Sequence, residues 1–226
     1  HSYGLEHGLL APLWAGASVH LAEGASPEAL GPRPMADITI VPAVPAMIEM
    51  LAETCSPSDV SRTVRLVYSA GAPLPGSVRE RFMHRCSRPI GQVFGMTEIG
   101  SVTFNDPRDA AFNPSRVGRP MGGVSLRIVD PDSRSIVPIG TPGELVVKAP
   151  SMLSGYLGET AVMEDGHFVT GDLGVLDGDG QLTITGRRRL LIDTGALKVN
   201  PLEIEATLCE HPGVHECVVV PIRQSD

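Results

Sequence analysis

Three short β-rich runs separated by stretches with helical spacing constrain the first half of this chain more than any other feature. Ala36-Asp37-Ile38-Thr39-Ile40-Val41, Val64-Arg65-Leu66-Val67-Tyr68 and Ile90 to Phe94 read as strands. Pro45 suits the first turn of a helix continuing through Met47, Ile48 and Leu51, and a second helix is expected around Val78 to Cys86. Alternating strands and helices bury their apolar faces best as a parallel sheet covered by helices. Ahead of them, Leu5, Leu9, Leu10 and Leu13 recur at helical spacing, and Ser18-Val19-His20-Leu21 reads as a further strand.

From about residue 115 the pattern changes to strands separated by turn chemistry. Val124 to Ile128 and Glu144 to Lys148 alternate in polarity, and Leu182-Thr183-Ile184 follows the turn-forming Asp177-Gly178-Asp179-Gly180. The expectation is a small β-barrel or sandwich. After Gly186 come an Arg cluster, a Gly-containing hairpin, a helix from Pro201 to Glu210 and a strand from Glu216 to Pro221. The predicted fold class is therefore α/β, with a small β-barrel following and then the start of an α+β domain. The expected boundaries are 1–112, 113–186 and 187–226.

Composition narrows the function classes. The chain has 226 residues and a net charge of −8, so no broad basic surface is available for a nucleic-acid backbone or an anionic bilayer. Its apolar runs are strand-sized, far short of the roughly 20 residues that span a bilayer. The start, His1-Ser2-Tyr3-Gly4-Leu5, lacks the basic-then-apolar pattern of a secretory signal, and four scattered cysteines suit a reducing compartment. A cytoplasmic location is the expectation. No stripe stands out as an interface, so the oligomeric state stays open.

Several blocks carry chemistry. In Gly91-Gln92-Val93-Phe94-Gly95-Met96-Thr97-Glu98 an aromatic ends a strand, a Gly allows close approach, and a hydroxyl stands beside a carboxylate. These could serve a base and a phosphate-bound Mg²⁺. A strand-to-helix turn with Thr97 as cap and Glu98 on the helix dipole explains the same residues. Upstream, Tyr68-Ser69-Ala70-Gly71-Ala72-Pro73-Leu74 ends a neighbouring predicted parallel strand, and ligands of open α/β sheets gather at such carboxyl ends. In Phe168-Val169-Thr170-Gly171-Asp172 the carboxylate could accept both hydroxyls of a ribose, or simply close a β-turn. Gly186-Arg187-Arg188-Arg189 is either a solvated basic spot or a phosphate-binding junction next to a hinge.

In this order and spacing the blocks resemble the adenylate-forming superfamily of acyl- and aryl-CoA synthetases, firefly luciferase and peptide-synthetase adenylation domains. His1-Ser2-Tyr3-Gly4, Gly118-Arg119-Pro120, Gly143-Glu144-Leu145, Gly155-Tyr156 and His211-Pro212-Gly213-Val214 extend the likeness over the whole chain. The resemblance implies ATP-dependent activation of a carboxylic acid to an acyl-adenylate and transfer to CoA. It also implies ATP/AMP, Mg²⁺ and CoA as cofactors. By similarity Gly71, Ala72 and Pro73 line the adenine and Phe94 and Gly95 flank it, with Met96 in the same block. Thr97 contacts the α-phosphate, Glu98 binds Mg²⁺, Asp172 holds the ribose and Arg187 contacts the nucleotide. Thr97, Glu98 and Arg187 are the catalytic assignments, Arg189 takes the hinge position, and His1, Ser69, Ala70, Met96 and Ile99 would form the acyl pocket.

The chain departs from the family at Leu190, where Asp is usual, at Gly195, which arrives one residue early, and at Ala149, which replaces a common Gly. No Gly-rich Ser/Thr loop ending in Lys is present. The small domain's catalytic Lys is expected beyond Asp226, so the chain is expected to be a partial ligase with little complete activity. Two rival readings remain: a short non-catalytic module binding adenine nucleotide or acyl-adenylate, and an adenylation domain loading a carrier protein. Cys209, His211, His215 and Cys217 suggest zinc only weakly, because ligands so compressed would struggle to reach a tetrahedron. Asp177, Asp179 and Gly180 begin like a calcium loop, but the twelfth position is Arg188, so a hairpin turn is expected there. His7, His20, His84 and His167 fit no catalytic triad that spacing supports.

Overall fold

A computed structural model describes residues 2–21, 37–54, 63–158, 160–193, 198–211, 213–214 and 216–222. His1, Gly195 and His215, each singled out from the sequence, lie outside the described residues. The chain opens with α1 (Ser2–Leu5), a π-helical turn at Glu6–Leu10 and α2 (Ala11–Trp14). The leucine spacing does produce a helix, but Leu5, Leu10 and Leu13 are exposed, and the helical run meets the sheet through Tyr3, Glu6 and His7 instead. Ser18 to Leu21, expected as a strand, has no regular structure.

β1 (Ile40–Ala43), β2 (Leu66–Ser69) and β3 (Ile90–Met96) are parallel neighbours, with α3 (Pro45–Thr54) and α4 (Gly76–Cys86) in the crossovers. Val78, Phe82 and Cys86, four residues apart, form one stripe on α4 and pack with Ile48 and Leu51 of α3 against Val41, Val67 and Ile90. Strand alternation turns Tyr68 to the opposite face, where it joins Ala70 and Val93, with Tyr3 and Phe104 packed alongside. The sheet is therefore covered by α3 and α4 on one side and by the N-terminal helical run on the other.

The wholly parallel sheet expected from the sequence is corrected here. β4 (Gly100–Asn105) runs antiparallel to β3, and β5 (Arg119–Pro120) runs antiparallel to β4, giving a mixed sheet in the order β1-β2-β3-β4-β5. Only the turn Thr97 to Ile99 separates β3 from β4, far too short for the crossover a parallel partner needs.

β6 (Ser125–Val129), β7 (Gly143–Lys148), β9 (His167–Leu176) and β10 (Leu182–Arg187) form a second, antiparallel sheet in the order β10-β9-β7-β6, with β8 (Met163–Glu164) against β9. Bulges between Glu144 and Val146 and between Ile184 and Gly186 make this sheet curl. It is not the closed barrel expected, because β6 and β10 are opposite edges of an open sheet. Its inner face, with Ile128, Leu145, Val147, Phe168 and Leu182, is covered by Ile99 of the β3–β4 turn and Val102 of β4 instead. At the seam, Gly118 bridges to Leu182 with φ +96°, and a Cβ there would lie 2.1 Å from the Phe104 carbonyl, so only glycine fits.

Beyond β10 the chain makes a short 3₁₀ turn at Arg188–Leu190, the antiparallel pair β11 (Ile192–Asp193) and β12 (Lys198–Val199), and α5 (Pro201–Cys209). Asn200 caps α5 by accepting from the Leu202 N–H, while its side-chain amide donates to the Thr185 carbonyl at 2.7 Å. Glu216 to Pro221, expected as a strand, is not one. The Val219 N–H donates to Glu205 of α5 rather than to a sheet neighbour.

Candidate functional site

Two parallel strands bring the first motifs together. Ser69 of β2 pairs in register with Gln92 of β3, so Gly71-Ala72-Pro73, which follow β2, and Phe94-Gly95, within the last turn-proximal part of β3, lie toward the same carboxyl end of the two strands. Gly71 has φ +89°, a left-handed conformation that a side chain would strain, and the residues Gly71 to Pro73 are exposed. Across the motif, Phe94 is half-buried and a bulge falls between Phe94 and Gly95. A Cβ on Gly95 would approach the Gly100 carbonyl to 2.5 Å, so the hairpin can close only around a glycine.

That hairpin settles how Thr97 and Glu98 are held. They sit in a strand-to-strand turn rather than at a helix start, so neither acts as a helix cap. Thr97 is exposed, and its hydroxyl lies 3.1 Å from that of Ser2. Glu98 accepts a hydrogen bond from the Tyr156 hydroxyl at 3.2 Å, and its carbonyl accepts from the Leu153 N–H at 2.7 Å. Ile99 turns its fully buried side chain into the core shared by the two sheets. Ser69 is also buried and its hydroxyl has no partner, whereas Ala70 packs with Tyr68 and Val93. Of the residues expected to line an acyl pocket, Met96 and Ile99 pack with one core and Ala70 with another.

Asp172 and Arg187 occupy paired positions on β9 and β10. The Arg187 Nε–H donates to one Asp172 carboxylate oxygen at 2.8 Å, and the other oxygen is buried without a partner. Thr170 fixes the local turn by accepting from the Asp172 N–H at 3.0 Å. Burial raises the Asp172 carboxyl above the usual carboxylate range, against the pull of Arg187 and Arg189, and Glu98 adds a smaller push in the same direction. Glu98, Asp172, Arg187 and Arg189 therefore share one electrostatic environment, although they come from two sheets and a 3₁₀ turn. Arg188 points elsewhere and pairs with buried Glu144 at 3.1 Å, which also binds Arg134.

One cluster escaped the sequence reading. His7 Nδ1 lies 3.0 Å from the Tyr68 hydroxyl and Nε2 lies 2.7 Å from the Ser101 hydroxyl, which donates to Glu6 at 2.9 Å. Burial pushes the Tyr68 phenol up to about 12 and lowers the His7 imidazole. At neutral pH one arrangement satisfies every member: Tyr68 donates to Nδ1, the Nε2–H donates to Ser101, and Ser101 donates to Glu6. Glu6 and His7 meet the sheet from the π-helical turn, a local irregularity that no composition signal marks. Asp177, by contrast, behaves as the hairpin residue expected, accepting from the Asp179 and Gln181 N–H groups.

The donors fit a nucleotide and a hard cation. Asp172 offers an unpartnered buried oxygen to a ribose hydroxyl, and Glu98 offers a half-buried carboxylate of the kind Mg²⁺ prefers. The chain is 31% identical to a malonate–CoA ligase of Arabidopsis thaliana, the match covering 100% of this chain and 41% of that protein. It is 34% identical to an indoleacetate–CoA ligase of Aromatoleum aromaticum over 81% of this chain and 37% of that protein. It superposes with a TM-score of 0.90 and 31% identity on ATP-bound MatB from Rhodopseudomonas palustris, covering 97% of this chain and 44% of that one. The chain thus spans about two-fifths of the length of these relatives. The family model described as AMP-binding enzyme matches residues 1–157, and the chain belongs to that family of AMP-binding enzymes.

Proposed function

We propose that these residues are part of an AMP-forming acid:CoA ligase that uses ATP, Mg²⁺, a carboxylic acid and CoA. The observation that carries the reading is Asp172: a buried carboxylate anchored by Arg187 through one oxygen, with the other left without a partner. Leaving such an acceptor unpaired costs about 1–3 kcal/mol, and a ribose hydroxyl would relieve that cost. In the reaction, the acid's carboxylate attacks the α-phosphorus of ATP, pyrophosphate leaves, and the CoA thiol then takes the acyl group as AMP departs. This chemistry asks for positioning and charge neutralisation more than for covalent participation.

On this reading Gly71, Ala72, Pro73, Phe94 and Gly95 receive the adenine, and Met96 belongs to the same wall. Thr97 meets the α-phosphate, Glu98 orients Mg²⁺ and Arg187 contacts the nucleotide. Arg189 is the hinge, and the segment from β11 onward begins a small mobile domain. Relatives that act on malonate and indoleacetate support the general class of acid without choosing within it. The test has two parts. Calorimetric titration of the 226-residue chain with AMP should show binding that Asp172→Ala weakens roughly tenfold or more, given a charge-assisted bond worth about 1.5–3 kcal/mol. The native gene product should form AMP from ATP only when acid and CoA are supplied. Equal AMP affinity in the Asp172→Ala form would overturn the ribose assignment, and absence of acid-dependent AMP formation across an acid panel would overturn the ligase reading.

A further inference from the structure

α5 and the segment after it bring two cysteines together. Glu205 and Cys209 stand four residues apart and therefore share one face of α5. The segment 217–219 is held along that face by two separate bonds: the Val219 N–H donates to the Glu205 carboxylate at 2.8 Å, and the Cys217 thiol donates to the Glu205 carbonyl at 3.5 Å. These contacts place the Cys209 and Cys217 sulfurs 3.7 Å apart, with Cys209 exposed and Cys217 half-buried. A disulfide needs about 2.05 Å between sulfurs, so the remaining approach is small, and Cys209 is open to a reagent from solvent. A metal is a poorer occupant of this place. His211 turns its Nδ1 to accept from the Gly213 N–H at 3.1 Å, and among the described residues no group of three or more His, Cys, Asp or Glu side chains is arranged to hold a cation.

We propose that Cys209 and Cys217 form a dithiol site that is oxidised to an intramolecular disulfide by low-molecular-weight disulfides of the glutathione class. The Cys209 thiolate attacks one sulfur of the oxidised reagent, breaks its S–S bond and expels one thiolate, leaving a mixed disulfide on Cys209. The Cys217 thiolate then attacks the Cys209 sulfur and expels the second thiolate. The two protons lost by the protein end on the two released thiols, so two protein thiols are oxidised as one reagent disulfide is reduced. The bond would close a loop over residues 210–216 and fasten the segment after it to α5. The inference does not depend on the ligase reading.

The experiment is direct. The 226-residue chain is incubated with oxidised glutathione, denatured, alkylated with iodoacetamide and weighed intact. The reduced chain should take four alkyl groups, one for each of its four cysteines, and the oxidised chain two, with no glutathione retained. Cleavage after Glu210 and Glu216 separates the two cysteines, so the linked peptides should appear without reductant and separate with it. In Cys217→Ser, glutathione should instead remain on Cys209 as a stable adduct. Four alkyl groups after oxidation, glutathione retained on both Cys209 and Cys217, or a link through Cys55 or Cys86 would each overturn the proposal.

Discussion

Burial leaves Asp172 with one oxygen on Arg187 and the other unpartnered, so its charge is unfavourable in the folded chain. Its carboxyl is raised above the ordinary value of 3.8, chiefly by desolvation. The folded chain therefore takes up this proton more readily than the unfolded one, and the ionised form lowers stability at pH 7. Asp172→Asn should raise the melting temperature modestly at pH 7, and the gain should shrink as pH falls through the raised folded value towards 3.8. Thermal unfolding of both forms across that range checks it. A gain independent of pH would disconnect the effect from ionisation. His7 carries the opposite linkage: burial lowers its folded value below 6.5, so stability is fully present above 6.5 and is lost as pH falls below it. Protonation would also break acceptance from Tyr68, loosening the N-terminal helical run from the sheet. Amide hydrogen exchange in residues 2–14, corrected for intrinsic pH dependence, should accelerate between pH 7 and 5, and His7→Gln should flatten that response.

At the scale of elements, the β3–β4 hairpin decides where Thr97 and Glu98 stand. Its geometry depends on the bulge at Gly95, which brings the chain back within reach of Gly100. Gly95→Ala would force a Cβ to 2.5 Å from the Gly100 carbonyl, a backbone contact that cannot rotate away. The expected cost is about 2 kcal/mol, in the range for overpacked sites, with weaker AMP binding as Thr97 and Glu98 shift. Denaturant unfolding together with calorimetry measures both, and an unaltered midpoint would show that the hairpin adjusts freely. The spacing of Val78, Phe82 and Cys86 made α4 legible in the sequence, and Pro45 marked the start of α3. The turn Thr97 to Ile99 was not legible in that way, because the same residues suit a helix start until a neighbouring strand claims them.

Across the whole molecule, Ile99 of the β3–β4 turn and Val102 of β4 complete the core of the second sheet, and Gly118 bridges to Leu182 at the same seam. The two sheets should accordingly unfold together. Ile99→Ala removes a fully buried side chain from this shared core and should cost about 3 kcal/mol, within the range for such truncations, while leaving a single transition. Calorimetry showing two separated transitions would mean that the sheets are energetically independent. Among the described residues no helix is long and apolar enough to cross a membrane.

Local chemistry determined much of this protein from the sequence alone. The β-rich runs at β1, β2 and β3, the α4 stripe, a Pro at a helix start and turn residues such as Asp177 encode their elements within a few neighbours, whereas the runs Ser18 to Leu21 and Glu216 to Pro221 do not, and the order of the motifs carried the family. Tertiary structure alone decided what depends on distant partners. It made the first sheet mixed, kept the second sheet open by supplying a cover from β4, and turned the leucines of the N-terminal helical run outward. It also joined Glu6 and His7 to Tyr68 and Ser101, and Cys209 to Cys217. Most of these outcomes rest on hydrogen bonds and buried contacts between segments far apart in the chain; the exceptions are the β3–β4 hairpin that makes the first sheet mixed and the cysteine pair, where the fold-back of a short segment onto α5 made the contact.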